Sequence, residues 1–91
     1  MLTLIWRDTA RADASAIFNY IAEHNVAAAE RLLAAIEACA DALPNHPNLY
    51  RPGRVPGTRE AVVHPNYIIV YRVTDEAVEI VNVVHARQQY P

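Results

Sequence analysis

Four of the chain's six prolines fall between Pro44 and Pro56, interleaved with Asn45, Asn48 and Gly53, and the hydrophobic period changes across them. Upstream, apolar residues recur every three or four positions, as on one face of a helix. Downstream they crowd into short runs of Val, Ile and Tyr, the pattern of strands. Proline can neither continue a helix interior nor serve a central ladder, so the cluster marks a boundary. The chain is thereby confined to an α+β arrangement, helices first and most of the sheet after, joined by an ordered but irregular loop.

Within the first half, Ala10, Ala14, Ile17 and Ile21 share one helical face and predict a helix over about 9–23, with Asp8 or Thr9 as its N-cap. His24-Asn25 interrupts the pattern. Asn25 is a suitable cap for a second helix over about 26–43, whose core face carries Ala29, Leu33, Ile36, Ala40 and Leu43. So short a break favours an antiparallel αα-hairpin, and the abundant alanines allow its helices to approach closely. Beyond the proline loop, 58–64, 67–73 and 77–85 read as three antiparallel strands joined by Pro65-Asn66 and Thr74-Asp75-Glu76. The stretch Tyr67 to Val73 is apolar at both parities except for Arg72. It is therefore a central strand, covered by the helices on one side and by something else on the other. Leu2 to Arg7 alternates and is expected to pair at the sheet edge.

At 91 residues the chain is expected to form one domain, 1–91, and so small a domain buries only about 60% of its unfolded surface. With 53% hydrophobic residues to accommodate, a partner that adds buried area would help. The longest apolar runs, Leu32 to Ile36 and Tyr67 to Tyr71, fall far short of the roughly 18 residues that span a bilayer, so no membrane association is expected. The N-terminus has neither a basic region nor a small-residue cleavage site, which points to a cytoplasmic address. Cys39 is the sole cysteine and lies between alanines, so it reads as a small core hydrophobe rather than a nucleophile. His24, His46, His64 and His85 lack ligand spacing, and neither a metal nor another cofactor is expected.

Charge is unevenly placed. Residues 1–43 carry six acids against Arg7, Arg11 and Arg31, whereas 44–72 carry Arg51, Arg54, Arg59 and Arg72 against Glu60 alone, within a net charge of −2. Such asymmetry marks an interaction face. All eight basic residues are Arg, so anion recognition here must use guanidinium forks or imidazole rather than lysine. The basic loop from Arg51 to Arg59 lacks interleaved exposed aromatics and is a weak nucleic-acid signal.

Several segments, taken in order, resemble the RelE/ParE family of bacterial toxins. They are Trp6 with Ala10-x-x-Asp13 and Ile17-x-x-Tyr20-Ile21, then Gly53 to Glu60, then Asn66 to Val73, and finally Val84-His85-Ala86-Arg87. The resemblance covers the whole chain and implies the toxin half of a type II toxin–antitoxin pair, with bacterial growth inhibition as its effect and a cognate antitoxin as its partner. It also implies the fold: an N-terminal edge strand, an αα-hairpin, then a three-stranded antiparallel meander. Ribosome-dependent ribonucleases of this family usually place an Arg immediately after the aromatic that matches Tyr67. Here that residue is Ile68, and where those enzymes commonly use Lys or Glu in the strand matching Arg59 to Val63, this chain offers Arg59 and Glu60 and no Lys. The likeness is therefore closer to the ParE branch, whose members inhibit DNA gyrase and serve plasmid stabilisation.

The alternative target is the ribosome with its mRNA. Cleaving RNA through its own 2′-hydroxyl needs a base, an acid and a cation at the phosphate, and His85, Arg87, Arg59 and Tyr90 supply those types. The same four residues are the expected target-binding set. The competing reading of Arg59 is a surface ion pair with Glu60, and that of Arg87 is a pair with an acid. Trp6, Tyr20 and Ile21 are the expected antitoxin-binding residues, unless they serve as core or rim packing. The segment Val84 to Pro91 lacks apolar periodicity and is expected to be a target-facing tail.

Overall fold

The computed structural model describes residues 2–88 and Tyr90. Its elements run β1 (Thr3–Trp6), α1 (Asp8–Ala22), α2 (Val26–Ala42), a 3-10 turn (Leu43–Asn45), β2 (Arg51–Pro52), β3 (Arg59–His64), β4 (Tyr67–Val73) and β5 (Ala77–His85). They form an α+β fold with one sheet in the order β1-β5-β4-β3-β2. The meander β3-β4-β5 is antiparallel, and β1 lies at the edge as expected, parallel to β5. The two-residue β2 was not anticipated; Pro52 within it offers no N–H and too few residues to leave a periodic trace.

Asn25 caps α2 as its side chain suggests, accepting from the Ala28 amide at 3.0 Å. The start of α1 differs from expectation. Arg7 is the N-cap without a side-chain bond, because the candidate caps are used elsewhere: Asp8 lies inside the first turn, and Thr9 donates to the Val81 carbonyl at 2.6 Å. Val81 is the extra residue of a β-bulge in β5, where Val70 faces Asn82 and Tyr71 faces Ile80. Asp13 accepts from the Val83 amide and the Asn82 side chain, both at 3.0 Å. Thr9 and Asp13 thus satisfy backbone groups that the bulge withdraws from the ladder, and fasten α1 to β5.

The two faces of the sheet are built differently. On the helix face Ala10, Leu32, Ile36, Ala40 and Leu43 pack against Ala61, Ile69, Tyr71, Val78, Ile80 and Val83. Leu32 rather than Leu33 turns inward from α2, a one-position difference within the broad stripe a core helix presents. On the opposite face Ile68, Val70 and Val84 form a small separate cluster, covered by Ala86 and Tyr90. That cover is the second layer which the two-sided apolar pattern of β4 requires.

Candidate functional site

Strand register assigns each candidate side chain to a face, since residues opposite one another in an antiparallel pair project to the same side. At one rim, Tyr67 begins β4 between His64 of β3 and His85 of β5. Its ring meets His85 edge-on at 5.3 Å and His64 at 5.9 Å. Both imidazoles are fixed alike: His64 Nδ1 accepts from the Asn66 amide and His85 Nδ1 from the Arg87 amide, each at 3.1 Å. In a neutral ring that bond leaves the proton on Nε2, so each histidine presents a donor and holds its basic lone pair in a turn. A groove of about 580 Å³ runs from this rim along α1, lined by Asp13, Tyr20, Tyr67, Val83, His85 and Gln88 among others.

The other expected target contacts lie elsewhere. Arg59 stands opposite Tyr71 on the helix face, four residues along β4 from the pairing partner of His85, or about 13 Å. It donates to the carbonyls of Tyr50 (2.7 Å) and Asn48 (3.4 Å) and so holds the loop before β2. It does not pair with Glu60, because alternation sends neighbouring side chains to opposite faces. Arg87 is exposed beside His85 and has no acidic partner among the described residues. His85 and Arg87 therefore come together, and Arg59 and Tyr90 do not join them.

The tail also departs from expectation. Tyr90 folds over Ile68, Val70 and Val84 instead of extending into solvent, while Gln89 and Pro91 lie outside the described residues. Its ring stacks under the Arg54 guanidinium, 4.6 Å from the centroid, and Arg54 Nη1 donates to the Gln88 carbonyl at 3.1 Å. Arg54 is itself placed by Glu60, which is 3% exposed and accepts from the Arg54 amide at 3.2 Å and from Arg51 at 3.0 and 3.2 Å. Burial of a carboxylate is tolerable only with such charge-assisted bonds around it. Gly53 makes the approach possible: its amide donates to the Thr58 carbonyl at 2.7 Å, and any side chain there would strike Thr58. The cue for this clasp was the lone acid among basic neighbours in 44–72; the tail's lack of periodicity concealed its other half.

The helix face holds two buried groups with shifted acidities. Burial pushes the Tyr71 hydroxyl above its ordinary range, partly offset by the nearby Arg59 charge, while that hydroxyl donates to the Pro47 carbonyl at 3.0 Å. Cys39 is likewise raised by burial, with the nearby Tyr50 hydroxyl opposing. A buried, raised thiol is a poor nucleophile, in keeping with its reading as a hydrophobe. Among the described residues no three His, Cys, Asp or Glu side chains gather where they could hold a metal ion.

Of the expected antitoxin contacts, Tyr20 is 67% exposed, whereas Trp6 and Ile21 pack against the core. Trp6 precedes α1 and Tyr20 lies near its end, about 18 Å away at 1.5 Å per residue. The three do not form one patch.

A five-stranded sheet under an αα-hairpin is a fold shared with solved structures of type II toxin–antitoxin systems. Residues 4–90 match the family described as the ParE toxin of type II toxin–antitoxin systems, parDE. Toxin RelE2 of Caulobacter vibrioides is 37% identical over 86 residues, covering 94% of this chain and 97% of that relative. Y4kP of Sinorhizobium fredii is 45% identical over 73 residues, 79% of this chain and 75% of that one. Among solved structures, the chromosomal ParDE system from P. aeruginosa superposes with a TM-score of 0.82 at 25% identity, covering 93% of this chain and 96% of that one. The chain belongs to the RelE/ParE family and is the toxin component of a type II toxin–antitoxin system.

Proposed function

We propose that this toxin, held by a cognate antitoxin until released, acts in the cytoplasm by inhibiting DNA gyrase rather than by cutting mRNA. The observation that carries the reading is Ile68. It stands where the ribonucleases of the family usually place an arginine, is 2% exposed, and lies in an apolar cluster beneath Tyr90. A phosphate there would meet hydrocarbon instead of a cation. The dispersal of the four residues RNA cleavage would need supports the same conclusion, as does a His85 whose basic nitrogen is already bonded. His85 and Arg87 are the target contacts in this reading; Arg59 and Tyr90 hold the loop and tail in position behind them. Tyr20, exposed on α1, is the antitoxin contact, with Ile21 and Trp6 as packing.

The test uses the purified chain. Inhibition of gyrase supercoiling, with mRNA left intact in a translating extract, is the expected result. Cleavage of ribosome-bound mRNA that disappears in His85→Ala, with supercoiling unaffected, would overturn it. A partner pulled down from the same operon should suppress whichever activity is seen.

A further inference from the structure

Arg72 interrupts the apolar run of β4 and lies on the face opposite the helices, one alternation beyond Val70. It is only partly exposed, and among the described residues it makes neither a hydrogen bond nor an ion pair. Glu79, its neighbour across the ladder, is engaged by Arg7 instead. Guanidinium groups drawn from solvent are ordinarily paired, so an uncommitted one facing a cavity is an opening for an anion.

That cavity is a half-open pocket of about 280 Å³ lined by Val70, Val84, Asp13, Arg72, Gln88 and Tyr90 among others. Tyr90 contributes an independent observation: its hydroxyl is shut off from solvent and has no hydrogen-bond partner among the described residues. Leaving such a group unsatisfied is costly, and native structures rarely do so without a reason. The Gln88 side-chain amide also keeps its donors free, since only its oxygen is used, by the His85 amide. Arg72, Tyr90 and Gln88 all line this space, and each carries a donor that no described residue accepts, a set complementary to an acceptor-only group.

We propose that this cavity binds a single carboxylate presented by a protein partner, with the Arg72 guanidinium as its counter-charge and the Tyr90 hydroxyl as a second donor. The valine walls suit the methylenes of an acidic side chain. Asp13 at the margin and the net charge of −2 disfavour a polyanion such as nucleic acid, whose repeated phosphates would meet like charge. The site is independent of which target the toxin attacks, and it draws on the clasp only for the placement of Tyr90.

The experiment is NMR on the full chain, following the Arg72 Nε–H signal and the Val70 and Val84 methyls. The probes are N-acetylglutamate α-amide, inorganic phosphate and a single-stranded oligonucleotide. Saturable shifts with the glutamate probe are expected, weakened roughly ten- to a hundredfold in Arg72→Gln, while the Ile69 and Val83 methyls report an unchanged core. The proposal fails if the glutamate probe moves none of these signals, or moves them equally in Arg72→Gln. It also fails if phosphate or the oligonucleotide moves them and the carboxylate does not. Should Arg72→Gln not fold, Tyr90→Phe carries the test: binding should weaken several-fold without a lower thermal midpoint, and unchanged affinity overturns the assignment.

Discussion

Ile68 and Ile69 are neighbours in β4, chemically identical and almost equally buried, yet they belong to two different kinds of interior. Ile69 faces Ala10, Leu32, Ile36 and Leu43 within a cluster closed by two helices. Ile68 faces Val70 and Val84 under a lid of Ala86 and Tyr90, and that lid is held by Arg54, Glu60 and a backbone carbonyl. One side is sealed by area and the other by polar bonds to a short segment. The comparison teaches that equal burial does not mean equal permanence: what closes a face decides how easily it reopens.

The comparison is sharpest in paired truncations. Ile69→Ala should cost about 2–5 kcal/mol in a urea titration, because the rigid helix layer cannot collapse into the space left. Ile68→Ala should fall at or below the lower end of that range, since Tyr90 can settle inward. Equal losses would erase the distinction between the faces. Arg54→Ala should cost about 0.5–2 kcal/mol by removing the stacked cation and its carbonyl bond. Its clearer signature is faster amide exchange at Val70 and Val84 than at Ile69 and Val83, and uniform exchange would show that the tail is not held by the clasp.

Alkaline pH acts on the helix face through Cys39 and Tyr71. Cys39 and Tyr71 are raised above ordinary values of 9.0 and 10.0, so the unfolded chain loses these protons first. Their contribution is intact below those values and is lost as pH climbs through the raised folded ones. The thermal midpoint should therefore decline above about pH 9, and less steeply in Tyr71→Phe, provided that variant is compared with its own neutral-pH midpoint. The smallest effect on stability belongs to Arg87→Ala, within about 0.5 kcal/mol because the side chain is exposed. If His85 and Arg87 meet the target, this variant should nonetheless lose growth inhibition when induced in bacteria while retaining its antitoxin.

Much of the architecture follows from local pattern. Helix period before the prolines and strand period after them determined the α+β order, and Asn25 marked the start of α2 by a bond its own side chain makes three residues on. The apolar residues at both parities of β4 determined that it would be central and covered twice. Ile68 in place of an arginine was equally visible. What tertiary structure decided is whatever depends on partners far apart in sequence. The bulge at Val81 carries no residue cue; it is satisfied by Thr9 and Asp13, some seventy positions earlier. Arg59 and Glu60 are adjacent in the chain, yet alternation parts them, and Glu60 finds Arg51 and Arg54 instead. The tail has no periodicity because one aromatic, pinned by one cation, suffices to close a small face. Burial and charge pairing exist only once the sheet has brought those groups to one side, and no local spacing encodes that.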